Sequence, residues 1–216
     1  MSLTRFIRPV PSARNELIYG QYGAAARTGI IAAGITNDAE LLQFRWNPAD
    51  TSKRAFIRRV LVDAAVSTTY FAAGVPVQLE MLKCTGWSVG GSGGAAVDPG
   101  AASRRGSSTM KATEVVANDF RIATTAGLTA GTKTIATPAL GFQLSGAPIT
   151  SSLSGQVFAP NTPLFEADLS KGDHPLELVA TEGFIVRCRA PATGTWACTF
   201  RVEWDEADFF PYGTNN

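Results

Sequence analysis

The chain has little of what usually marks a chemical site. It holds one histidine and three cysteines in 216 residues. Cys84, Cys188 and Cys198 are scattered, with none of the CxxC spacing of zinc sites, and with one histidine they argue against a metal site. No cofactor or metal is expected. Three cysteines also fall short of a disulfide framework, so stability must rest on packing. The charge is nearly balanced, with 19 basic and 18 acidic residues for a net +1. That removes the general electrostatic reason for a nucleic-acid or anionic-membrane partner. No run approaches the roughly 18 apolar residues of a membrane-spanning helix. The N-terminal MSLTRFIRPVPSARNE has prolines and charges where a signal peptide needs an apolar stretch. The expectation is a chain made and kept in a cytoplasm unless an assembly carries it elsewhere.

What is present is alternation. With 45% hydrophobic residues the chain can bury a substantial core. Its polarity changes with a period near two in QFRWN (43–47), RRVLVDAAVSTTYFAA (58–73), VPVQLEMLKCTGWSV (75–89), DFRIATT (119–125), KTIAT (133–137), PLFEADL (163–169) and PLELVA (175–180). Within VPVQLEMLKC, Val77, Leu79, Met81 and Lys83 share one face, and Gln78, Glu80 and Leu82 the other. Residues 53–63 also fit a short amphipathic helix through Phe56, Val60 and Asp63, but the β-branched and aromatic VSTTYF that follows favours a strand. Short strands, turn-rich links and scarcely any helical pattern predict an all-β antiparallel sandwich or jelly roll.

Two regions lie outside the pattern. Residues 1–45 combine the prolines of FIRPVPSARN with the small-residue run YGAAARTGIIAAGIT and read as an arm, ahead of a sandwich over 46–210 and a tail at 211–216. Residues 88–110, SVGGSGGAAVDPGAASRRGSSTM, read as a long Gly/Ala/Ser-rich loop, either solvated or ordered by a neighbouring subunit.

Chemical motifs fail for stated reasons. GGSGG (90–94) lacks the Gly-Lys-Ser/Thr ending of a phosphate cradle. His174, in SKGDHP, reads as a turn residue, and no feature points to a nucleophile beside it. EWDEAD (203–208) places its carboxylates side by side at a strand end, which suggests a solvated rim or partners for a neighbour's cations. No catalytic residue is assigned. The arginines are the interaction candidates: the pairs Arg58, Arg59 and Arg104, Arg105, and the strand-borne Arg187, Arg189 and Arg201. The doubled arginines read either as ordinary surface charge or as guanidinium groups suited to bidentate pairing with carboxylates of another chain, and they lack the aromatic company that single-stranded nucleic acid requires.

TEGFIVRCRAPATGTWACTFRVEWDE (181–206) reads as the last hairpin. Phe184, Val186, Cys188 and Ala190 alternate against Ile185, Arg187 and Arg189. Beyond the PATG turn, Trp196, Cys198, Phe200, Val202 and Trp204 alternate against Ala197, Thr199, Arg201 and Glu203. A turn near Thr193 makes Cys188 and Cys198 cross-strand neighbours, either bonded in an oxidising extracellular setting or, as their apolar setting favours, buried free thiols.

In order, TTYFAAGVPVQLEMLKCTGWSVGGSGG, DFRIATTAGLTAGTKTIAT and HPLELVATEGFIVRCRAPATGTWACTFRVEWDE resemble tailed-bacteriophage virion proteins over about two thirds of the chain. The GGSGGAA loop, RIATTAGLTAGT, EGFIVR and PATGTW carry most of the likeness. The resemblance implies a non-enzymatic structural protein of the head decoration, or cement, type. Such a protein is made in the host bacterial cytoplasm and resides on the capsid surface of the virion. Its implied partners are the major capsid protein and itself, as a homotrimer at a local three-fold, with no direct nucleic acid and no membrane. The competing reading is a head- or tail-associated adhesin or carbohydrate-binding module, with Trp87, Trp196 and Tyr212 as aromatic platforms. The face count puts Trp196 in the core.

Overall fold

The computed structural model describes residues 18–71, 76–100, 103, 111–144, 157–168 and 171–208. Among these residues twelve strands form in chain order: β1 (Ile18–Arg27), β2 (Ala39–Trp46), β3 (Lys53–Val66), β4 (Gln78–Val89), β5 (Ala95–Ala96), β6 (Phe120–Ile122), β7 (Thr132–Ile135), β8 (Gly141–Leu144), β9 (Val157–Glu166), β10 (Leu176–Leu178), β11 (Glu182–Arg189) and β12 (Trp196–Asp208). No α-helix occurs among the described residues. Residues 53–66, where the helical pattern competed, are one long strand.

The strands make two antiparallel sheets. Sheet I runs β1-β12-β3-β10, with β9 also on β3; sheet II runs β5-β6-β2-β11-β4-β7, with β8 also on β4. The pairing is nested, β1 with β12, β2 with β11, β3 with β10 and β4 with β7. One long antiparallel ribbon folded over on itself gives this order, which is the jelly roll. The expected all-β sandwich is therefore what the chain forms.

Alternation decides the inner faces. Phe184 and Val186 from β11 and Leu79 and Met81 from β4 point into the sandwich, where they meet Val60, Val62, Phe200, Val202 and Trp204 of sheet I. Phe44 joins the layers: its ring stacks on Phe184 at 5.3 Å and meets Trp204 edge-on at 5.3 Å. Each such aromatic, fully removed from water, contributes about 1.5–3 kcal/mol. A second, smaller cluster of Leu82, Cys84, Trp87 and Ile185, with Ala139 against it, lies on the outer face of sheet II. Both faces of β11 are thus covered, and Ile185 is as buried as Phe184.

Three expectations need correction. The last hairpin is not one. The β11 strand lies between β2 and β4 in sheet II, and β12 lies between β1 and β3 in sheet I. Alternation reports which side chains face the core, and it reads the same for a hairpin and for a corner that switches sheets. The corner is held by the 67–69 segment: Ser67 N–H donates to the Thr195 carbonyl at 2.7 Å, Thr195 N–H to the Thr69 carbonyl at 2.9 Å, and Thr69 N–H to Thr195 Oγ1 at 3.0 Å. Cys188 and Cys198 consequently lie in opposite sheets, as buried free thiols of the one core.

The arm boundary at residue 45 also moves. The small-residue run supplies β1, and β2 is a central strand of sheet II. Glycine and alanine in β1 leave too little apolar surface for a period-two signal, although Tyr22 still packs on Trp204. Residues 1–17 and the tail at 211–216 lie outside the described residues. The Gly-rich loop, finally, is anchored in its first half. Ser92 N–H donates to Thr129 Oγ1 at 2.6 Å, Thr129 N–H to the Ser92 carbonyl at 3.0 Å, and the Arg121 guanidinium to the Gly93 carbonyl at 2.7 Å. Gly91 is required there, because a Cβ would collide with the Gln43 amide and the Thr129 carbonyl.

Candidate functional site on the outer face of sheet I

The predicted arginines divide between two faces. On the outer face of sheet II, Arg187 Nε donates to Glu80 Oε2 at 2.7 Å and lies 3.5 Å from Asp38. Arg189 grips Asp38 with two bonds, at 2.9 and 3.3 Å. Those bonds, with both guanidinium charges, hold the Asp38 carboxyl below its usual range. On sheet I, Arg59 pairs with Glu166 across the β3–β9 ladder, and Arg58 lies 3.7 Å from Asp205. Four of the seven candidates thus meet carboxylates of their own chain. Arg104 and Arg105 lie outside the described residues. Arg201 is exposed, between Ala25 of β1 and Leu61 of β3.

Arg201 belongs to an outer face with a groove beside it. Register aligns Arg27, Thr199 and Asp63 in one row across β1, β12 and β3. The groove, about 500 Å³, has Ala65, Ala197 and Thr199 as a floor of small side chains, Arg27 and Val157 on its rim, and Ser67 and Thr68 at one end. Asp63 is held by the Asn161 N–H, which donates to its Oδ1 at 2.6 Å. One cation, one carboxylate and a few hydroxyls over a small-residue floor suit the docking of an extended polar segment. Arg27 escaped the sequence reading because its run resembled an arm.

Two buried polar centres hold the loops over the sandwich. Glu206, fully buried, accepts from the Thr113 hydroxyl, from Glu114 N–H at 3.1 Å and from the Trp204 indole at 2.9 Å. Burial raises its pKa, against the pull of those bonds. Tyr22 adds a bond from its hydroxyl to the Lys111 carbonyl at 2.8 Å. These contacts secure the chain where it returns from the Gly/Ala/Ser-rich region. The solvated rim expected for EWDEAD is therefore corrected at Asp205 and Glu206, both buried. The signal was present: Trp204 faces inward, and one more step of two reaches Glu206.

In the second centre Lys133 lies 2.9 Å from Glu40 and 4.5 Å from the Trp87 ring centroid, with Gln43 Nε2 donating to Glu40 Oε2 at 2.6 Å. It sits beneath the Gly-rich loop.

Other candidates resolve simply. Trp87 and Trp196 are each 1% exposed. Tyr212 lies outside the described residues. His174 is exposed on its turn. Burial pushes the Cys84 and Cys188 thiols up to about 12 and raises that of Cys198 well above its ordinary value, so all three are inert as nucleophiles.

No protein-family model matches the chain, and no curated protein matches its sequence. Among solved structures it is similar to the unassembled Washington University polyomavirus VP1 pentamer, a point mutant, at 9% identity over 88% of this chain and 94% of that one, with a TM-score of 0.28. A superposition that loose assigns neither fold family nor role. The class is defined by the strand order itself: an all-β, antiparallel jelly roll.

Proposed function

We propose that the chain is a non-enzymatic virion structural protein, a capsid decoration or cement protein that binds the major capsid protein lattice and stabilises the head. The observation that carries the reading joins sequence and fold. GGSGGAA and RIATTAGLTAGT, two segments resembling tailed-phage virion proteins, pack together as one unit at the edge of a jelly roll, through the Ser92–Thr129 bonds and the β5–β6 pairing. A jelly roll is a rigid block that presents loops and faces without needing a cleft, although fold alone does not assign function.

In this reading the partners are the capsid lattice and further copies of the chain, with a homotrimer at a local three-fold, and the outer face of sheet I with Arg201 and Arg27 meets carboxylates of a neighbour. The adhesin reading loses support from the burial of Trp87 and Trp196, two of its three aromatic platforms.

Cosedimentation tests the proposal. Purified protein mixed with expanded phage heads lacking it should pellet with them to saturation and raise their disassembly temperature. Binding to host cells or their polysaccharides with none to heads would overturn it in favour of the adhesin.

A further inference from the structure

A free sheet edge is a template for another strand, and proteins blunt such edges by keeping them short, placing proline or lysine there, or bulging them. Three of the four edge regions here are blunted. Sheet II ends in the two-residue β5 on one side and the four-residue β7 and β8 on the other. The far side of sheet I holds the three-residue β10 and a β9 that carries Pro160 and Pro163 and several register shifts. The fourth, β1, is different. It has ten residues, IYGQYGAAAR, with no proline, no lysine and one charge at its end. Among the described residues it pairs only with β12.

The direction of its backbone groups follows from the register. Thr28 N–H donates to the Cys198 carbonyl at 2.8 Å. Antiparallel pairing alternates, so Tyr22, Ala24 and Ala26 also turn their backbone groups to β12. Gln21, Gly23, Ala25 and Arg27 turn theirs to the open edge. Their side chains lie on the outer face of sheet I, where Gln21, Ala25 and Arg27 are exposed.

We infer that β1 is a self-pairing edge: two copies of the chain join β1 to β1 antiparallel across a two-fold axis, so that sheet I continues from one copy into the next. One register uses all four outward residues of both copies. It places Ala24 on the axis, Gly23 opposite Ala25 of the second copy and Gln21 opposite its Arg27. Four such pairs exchange about eight hydrogen bonds.

The same register complements charge. No ion pair forms at Arg27 among the described residues, and in this arrangement each Arg27 stands beside the other copy's Gln21. Gly23, with no side chain, leaves open the path from there to Glu203, its neighbour on β12. Arg27 never opposes itself. The chain leading into β1 is a poorer occupant, because Pro9 and Pro11 remove two backbone donors from it. The contact is two-fold and independent of the virion reading; if trimers form, it links one trimer to another.

Two variants test it in solution. Ala25→Pro removes an N–H that faces the open edge and no bond to β12, so the fold should survive while the mass measured by light scattering halves at micromolar concentration. Ala24→Cys puts two thiols on the axis, about 4.5 Å apart at their Cα atoms. It should oxidise to a covalent dimer, whereas Ala26→Cys, more deeply buried and placed opposite Tyr22 of the second copy instead of opposite itself, should not. The native cysteines are buried and do not compete. An unchanged mass for folded Ala25→Pro, or failure of Ala24→Cys to cross-link, overturns the inference. So does a wild-type monomer that dimerises only after residues 1–17 are deleted, since that segment would then occupy the edge.

Discussion

Replacing Glu206 with alanine probes the best-defined polar centre of the sandwich. The substitution leaves three donors without their acceptor: the Thr113 hydroxyl, the Glu114 N–H and the Trp204 indole. Each buried donor left unpaired costs about 1–3 kcal/mol. The three share one site and are not additive, and the variant no longer buries a carboxylate, so the net loss is about 2–4 kcal/mol. In a chain of this length that lowers the melting temperature by roughly 5–15 °C. Thermal and urea unfolding measure it, and hydrogen exchange should rise over residues 111–116 as the clamp opens. A loss below about 1 kcal/mol, with exchange unchanged there, refutes the assignment of Glu206 as the anchor.

The proton on Glu206 supplies a second arm. Its pKa is raised above the ordinary 4.5, mainly by burial, so the folded state holds the proton more tightly than the unfolded one. That contribution to stability is complete below the ordinary value and is lost as pH rises through the folded value. Glu206→Gln does not titrate. The wild-type advantage over Glu206→Gln should therefore be larger near pH 4.5 than near pH 7.5; the reverse order contradicts the buried carboxylate. Asp119 and Asp205 are shifted the same way by burial, and since both proteins share them, the difference isolates Glu206.

Three further outcomes are expected. Gly141→Ala should cost about 3 kcal/mol or more, or prevent folding, because its Cβ would collide with the Leu164 carbonyl where β8 meets β9; near-native melting would contradict that contact. Lys133→Ala should cost about 3–5 kcal/mol by stranding the buried Glu40, whereas Lys133→Met with Glu40→Leu should recover most of the loss in urea unfolding. Thiol titration without reductant should find three free thiols in guanidinium and almost none in the native protein, and two missing thiols would indicate a disulfide.

Two surfaces illustrate the limits of a one-dimensional pattern. The arginine pattern fits ordinary surface charge or partners for another chain's carboxylates, and within the fold Asp38, Glu80, Glu166 and Asp205 of the same chain meet four of the seven. Asp38 is 149 positions from Arg187, and no spacing rule spans that distance. Arg27 gave no signal because its neighbours are alanine and glycine, and only the β1–β12 register sets it in a row with Thr199 and Asp63.

Sequence alone determined the class and the facing of the core. Period-two alternation is a local property, set by the pleat and by which side chains leave water, so Phe184, Val186, Trp196 and Trp204 could be placed inside before any partner strand was known. It also placed Cys188 and Cys198 among apolar neighbours. Tertiary structure alone decided which strands pair, that β11 and β12 turn a corner between sheets, that β1 is the last strand of sheet I among the described residues, and that Glu206 lies at the centre of a hydrogen-bonded clamp. Those outcomes depend on competition between distant segments for the same backbone groups. Alternation records the face a residue presents and carries no label for the strand beside it.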